Sequence, residues 1–195
     1  MNFGGVLLAL LFVLPGSNVW AQSWNEMTLA RGLADPLKRD AAVKFVSSHR
    51  NAPLQLILSW TVTPPDGVDP FELKIGLAEA FGRMRTIEAI PFLVKNISMD
   101  RTGLGNTWLK SPAAVEERLP AAAALIQIGQ ESVPAIFQAS AQPTGLRDRL
   151  AMILVISRMP EFPGKKTFLL GALGEANLER EWAETALEQF GASKP

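Results

Sequence analysis

The sequence predicts an all-α protein, a superhelical stack (α-solenoid) of about four to five antiparallel helix pairs. Three observations predict it. Apolar residues recur at helical spacing through most of the chain, and no run alternates as a half-buried strand would. Two segments resemble one another, one ending at Ile90-Pro91 and the other at Val133-Pro134, an interval of 43 residues. That interval falls within the roughly 40–47 residues of helical-pair repeats. Both prolines sit where a helix restarts, and a helix's first turn leaves their missing N–H without consequence.

Taken in order, the chain begins with an unbroken apolar run at residues 6–14 (VLLALLFVL), followed by Pro15-Gly16-Ser17-Asn18 and Val19-Trp20-Ala21. The run is about half the roughly 20 residues needed to span a bilayer, so it reads as a signal segment, residues 1–21, cleaved after Ala21. Residues 1–5 carry no Lys or Arg, a departure from the usual basic start of such segments. The expectation is an exported protein, in a bacterial periplasm or secreted, with no stable membrane span once the signal is gone.

The mature chain, residues 22–195, reads as one domain. Residues 22–66 hold degenerate N-terminal helices or a cap, with helical pattern at 37–48 and 53–61 and a start signal at Asp35-Pro36. The cluster VTPPDGVD at 62–69 is a turn. Asp69-Pro70 with Glu72 three residues after the Asp opens the next helix as a capping box. The first strong repeat copy covers 77–97 and the second 121–140, with a turn one residue shorter in the second. Between them, residues 98–110 (SMDRTGLGNTWLK) form an insertion, after which Ser111-Pro112 signals a further helix start. A third pair is expected at 149–157 and 167–173. A last half-pair carries Ala183, Ala186, Leu187 and Phe190, so that 67–195 comprises repeats and a C-terminal cap.

The residues around both prolines, Ala80-Phe81-Gly82 through Ile90-Pro91 and Ala124-Leu125-Ile126 through Val133-Pro134, give the pattern a family resemblance. They resemble HEAT repeats, especially the short variety of phycobilisome-lyase-like proteins. The resemblance implies stacked helix pairs whose second helices line a concave surface. It also implies an alternative activity, bilin lyase-like or chromophore-handling. Such processes are cytoplasmic or plastid-based, at odds with an exported chain.

Composition narrows the chemistry. The chain has no Cys and one His, with 19 basic and 19 acidic residues balancing to zero net charge. Disulfides, thiolate-held zinc and thiol nucleophiles are excluded, and paired imidazoles are unavailable. No cofactor or metal is expected. A neutral chain has no long-range field to draw in phosphate backbones, so no nucleic-acid partner is expected.

Candidate residues were weighed against structural roles. On the helix after Pro91, a core stripe of Ile90, Leu93, Val94 and Ile97 turns Glu88, Phe92 and Lys95 outward. The equivalent positions after Pro134 are Glu131, Ala135 and Gln138. Phe92, Lys95 and Gln138 are therefore candidates for lining a peptide groove. Trp108, in the insertion, is either a ligand anchor or a pin for its own loop. Gly103-Leu104-Gly105 lacks the rest of a phosphate loop. Glu116 and Glu117 point about 100° apart on a helix and cannot flank one bond. His49 marks a helix end, and Asn96-Ile97-Ser98 matches a weak glycosylation acceptor. The acidic residues of the last helix, Glu175, Glu179, Glu181, Glu184 and Glu188, read as a solvated capping face over Trp182, Ala186, Leu187 and Phe190. No catalytic set emerges. The expected function is non-enzymatic binding of a protein or peptide partner, as a scaffold or assembly subunit. The alternative to discrete binding is a purely structural module of a larger exported assembly.

Overall fold

The computed structural model describes residues 24–49, 53–102, 117–142 and 145–175. The expected signal segment, the centre of the insertion with Trp108, Ser111-Pro112 and the expected last half-pair lie outside the described residues. Among those described the fold is all-α, with nine α-helices and no strand. They are α1 (Glu26–Ala34), α2 (Arg39–Ser48), α3 (Leu54–Ser59), α4 (Pro70–Met84), α5 (Ile90–Lys95), α6 (Pro120–Ile128), α7 (Val133–Ser140), α8 (Leu146–Arg158) and α9 (Lys165–Glu175).

Local chemistry accounts for the helix boundaries. Asn25 caps α1 by accepting from the Thr28 N–H at 2.9 Å. Asp35, expected to open α2, instead closes α1: its carboxylate accepts from the Leu37 N–H at 2.9 Å, and α2 starts four residues later. An Asx turn of this kind satisfies the side chain locally and delays the helix. Asp69 caps α4, accepting from the Phe71 and Glu72 N–H groups at 2.8 and 2.9 Å, with Pro70 in the first turn. His49 ends α2, its backbone N–H returning to the Phe45 and Val46 carbonyls. The Asn96 amide donates to the Phe92 carbonyl at 2.8 Å and closes α5.

The two repeat copies have the same build. In the first, α4 leads through a 3₁₀ turn at Ile87–Ala89 into α5, with Pro91 in its first turn. In the second, α6 leads through a 3₁₀ turn at Gln130–Ser132 into α7, with Pro134 in its first turn. The one-residue difference lies at the end of the leading helix. The first copy uses Arg85 (φ 53°) and Thr86, whose N–H groups return to Gly82 and Phe81. The second uses Gly129 alone, at φ 92° and ψ −146°, a conformation essentially reserved for glycine.

Packing follows chain order. Helix α4 packs on α1 and α2 on one side and on α6 on the other, and α6 in turn packs on α8. The shorter α5 and α7 pack against each other, α5 also on α6 and α7 also on α8, while α9 packs on α8. A continuous apolar core runs from Leu29 to Leu169, with Phe81, Leu93, Leu125 and Ile136 fully buried. Small residues make the closest approaches possible. A Cβ at Gly76 would lie 2.2 Å from the Leu33 carbonyl oxygen, and one at Gly82 would lie 2.8 Å from Ala124 Cα. Glycine is thus required where α4 crosses α1 and where it meets α6.

Candidate functional site

Helices α5 and α7 carry three of the four sequence-derived candidates, Phe92, Lys95 and Gln138. On α5, Ile90 and Leu93 are buried and Ile97 follows them into the core, as the stripe requires. Val94 is only half-buried. Glu88 and Lys95 are exposed. Phe92 differs from expectation: it is half-buried, its ring edge-on to Phe81 at 5.9 Å between centroids. An aromatic edge meeting an aromatic face is attractive, and the α4–α5 crossing places Phe81 within reach. Gln138 is exposed on α7, the helix that packs beside α5. Lys95 and Gln138 therefore lie on neighbouring helices, while Phe92 is partly committed to the core.

Between α7, α8 and α9 lies a cleft of about 440 Å³, lined by Phe137, Ser140, Ala141, Arg149, Gly164, Thr167, Phe168 and Gly171. Phe137 and Phe168 stack with centroids 4.5 Å apart and planes within 2°. Phe162 approaches Phe137 at 6.1 Å. The volume is in the range of small-ligand and side-chain pockets, about 300–1,000 Å³. Nothing in the sequence pattern pairs Phe137 with Phe168. Their meeting depends on how α9 folds back, which local periodicity does not encode. A second cleft, between α2, α4 and α6, holds about 160 Å³ and is lined partly by Glu79, Arg83 and Gln127. It is too small for a ligand of that class, and its charged groups already face partners: Arg83 meets Asp40 at 3.1 Å, and Glu79 meets Arg101.

Two buried charge clusters went unread in the sequence. Arg39 is 4% exposed; its Nε donates to the Leu33 carbonyl at 2.9 Å, and Nη2 donates to Glu72 at 2.5 Å. Nη1 lies 3.9 Å from Glu79. Glu72 thus serves Arg39, although its spacing from Asp69 had suggested a reciprocal capping box. The available signal was Arg39 itself, in register with the buried Ala42, Val43 and Val46 of α2.

The second cluster centres on Asp100, whose side chain is 3% exposed. It accepts from the Thr102 N–H and hydroxyl, each at 2.9 Å, and from Arg118 at 2.6 Å. Arg147 of α8 stands 3.7 Å away, an ion pair rather than a hydrogen bond. Burial pushes the Asp100 carboxyl upward, but the Thr102 backbone and Arg118 hydrogen bonds outweigh it, leaving the pKa below 3.8. The Arg101 N–H donates to the Arg118 carbonyl at 2.9 Å, and the Ser98 hydroxyl donates to Asp148. Residues 98–102, at the start of the insertion, are thereby tied to Arg118, just ahead of α6, and to α8.

Among the described residues no group of three or more His, Asp or Glu is placed to hold a metal ion. Among the same residues no helix is long and apolar enough to cross a membrane. Comparison with protein-family models, curated proteins and solved structures finds no match for the chain.

Proposed function

We propose that this protein is an exported, non-enzymatic HEAT-like α-solenoid that binds a protein or peptide partner as a scaffold or assembly subunit. The observation that carries this reading is packing in chain order: α4, α6 and α8 in one series, with α5 packed on α7 beside it. Such nearest-neighbour stacking supports a quasi-one-dimensional repeat architecture, which presents an extended surface rather than a closed catalytic pocket. The buried charges support it too. Arg39 and Asp100 are consumed by partners within the fold, so they tie elements together instead of facing a substrate. The partner surface is the exposed side of α5 and α7 that carries Lys95 and Gln138.

The test uses the mature chain, residues 22–195, to isolate partners from the exported fraction of the source cell, followed by titration of each purified partner. A saturable partner whose affinity falls about tenfold or more in Lys95→Glu/Gln138→Lys supports the reading. Phe92→Ala serves as a stability-linked control because its ring packs on Phe81. Undiminished binding of every partner to the double variant removes the α5–α7 surface. Substantial β-sheet in the circular dichroism of the mature protein removes the fold.

A further inference from the structure

Helix α4 presents two carboxylates to one cation. Glu72 and Glu79 are two helical turns apart, about 10.5 Å along the axis and on the same face. Arg39 stands between them, over Gly76. With no Cβ at Gly76, the Leu33 carbonyl lies directly on α4, 2.2 Å from where a Cβ would be. Arg39 Nε donates to that carbonyl at 2.9 Å, which holds the guanidinium over the middle of the interval. Its Nη2 donates to Glu72 at 2.5 Å. Its Nη1 stops 3.9 Å from Glu79 Oε1, about 1 Å too far for a hydrogen bond.

The same Glu79 oxygen accepts instead from Arg101 Nη2. Arg101 belongs to the stretch 98–102 that follows α5, and its side chain is 40% exposed against 5% for Arg39. Arg39 is anchored at Nε and Nη2, so the freer Arg101 takes the oxygen while it is in reach. Among the described residues no other cation lies within ion-pair distance of Glu79. A cleft of about 160 Å³ beside Glu79 leaves its side chain room to turn.

We infer that Glu79 is a two-position carboxylate, paired with Arg101 when residues 98–102 lie against α4 and with Arg39 when they leave it. Departure of that stretch then strands no half-buried charge, because Arg39 takes up the carboxylate that Arg101 gives up. Attraction to the buried cation is the less screened of the two, so the exchange tightens α2 on α4. Residues 98–102 are thereby a release point, and whatever draws them off α4 is felt at Arg39.

Nitrogen-15 NMR of the arginine side chains in the mature chain, residues 22–195, tests this, with Arg39 assigned by its loss in Arg39→Lys. The readout is rotation about the Arg39 Cζ–Nη1 bond, which a hydrogen bond from Nη1 to a carboxylate slows. In Arg101→Met that rotation is expected to slow about tenfold, the factor that one charge-assisted hydrogen bond supplies. In Arg101→Met/Glu79→Ala it returns to the parent rate, because no acceptor remains. Glu72→Gln gives the converse. Arg39 turns to Glu79, and the Arg101 backbone N–H, bonded to the Arg118 carbonyl at 2.9 Å, exchanges with solvent several-fold faster. Rotation that is unchanged or faster in Arg101→Met overturns the proposal, as does slowing that persists without the Glu79 carboxylate. So does an Arg101 amide whose exchange is unmoved in a folded Glu72→Gln. Circular dichroism confirms that each variant folds, and the half-exposed Arg101→Met decides the matter if Glu72→Gln does not.

Discussion

The joint between α1, α2 and α4 is centred on a buried cation, and the joint between α5, α6 and α8 on a buried anion. Arg39 offers a planar fork of donors, and its partners are a carbonyl and two carboxylates 32% and 27% exposed. Asp100 offers only acceptors, and its partners are a backbone N–H, a hydroxyl and the Arg118 guanidinium, with Arg147 beyond. Both devices fix the register of neighbouring elements, which apolar contacts alone define loosely because they are non-directional. They differ in response to solution conditions. A guanidinium keeps its charge across the accessible pH range, whereas a carboxylate does not. The first joint therefore has a permanent centre, and the second has a centre that acid can discharge.

The largest expected effect comes from breaking the first joint. Arg39→Ala strands the Leu33 carbonyl and removes the packed stem, while Glu72 and Glu79 regain partial hydration. We expect a loss of about 3 kcal/mol, at the lower end for a broken buried pair, measured by urea unfolding. A loss below about 1 kcal/mol at neutral pH would show that the core alone holds α2 on α4.

Breaking the second joint has a smaller effect that depends on pH. Because the folded pKa of Asp100 lies below its unfolded value near 3.8, the stability it contributes is fully present above that value. It is lost as pH falls through the folded pKa. Asp100→Asn is expected to cost about 1–2 kcal/mol at pH 7, since the amide keeps the shape but gives Arg118 a weaker acceptor. The gap between variant and parent should shrink as pH drops below about 4. A gap for Asp100→Asn that is constant down to pH 2 would contradict the assignment.

The smallest effect sharpens a comparison within the repeats. Arg85 occupies the left-handed region with φ 53°, at a place where the second copy ends its helix with Gly129. Arg85→Gly should stabilise by up to about 1 kcal/mol, the relief of left-handed strain less glycine's added unfolded entropy. Gly129→Ala at φ 92° should destabilise by about 1 kcal/mol. Thermal unfolding of both variants reads out the opposite signs.

Much of the fold was legible because it is written in local pattern. Pro91 and Pro134, the Ala-rich seams before them and the missing turn residue in the second copy each act over a few positions. All three recur in the structure as helix, 3₁₀ turn and helix. The cap at Asp69 was legible for the same reason. Asp35 misled because an Asp before Pro reads equally as a helix start and as an Asx turn closing the previous helix. Arg39 was passed over because a charged residue in an apolar stripe is ordinarily assigned to solvent. Phe168 was passed over because nothing near it in sequence signals Phe137. The candidate surface was legible only in part: Lys95 and Gln138 are exposed on adjacent helices, while Phe92 turns its ring toward Phe81.

The sequence by itself determined that the described chain is helical, where its repeats begin and which chemistries it lacks. Helix propensity, prolines, caps and the absence of Cys act residue by residue and need no partner. The tertiary structure decided which glycines are compulsory, where two buried charges find their counter-charges and where two phenylalanines stack to form a cleft. Those depend on close approach between residues 18 or more apart, as from Asp100 to Arg118, Arg39 to Glu72 or Phe137 to Phe168. A pair potential that falls off within a few ångströms leaves no trace in local periodicity until the chain is folded.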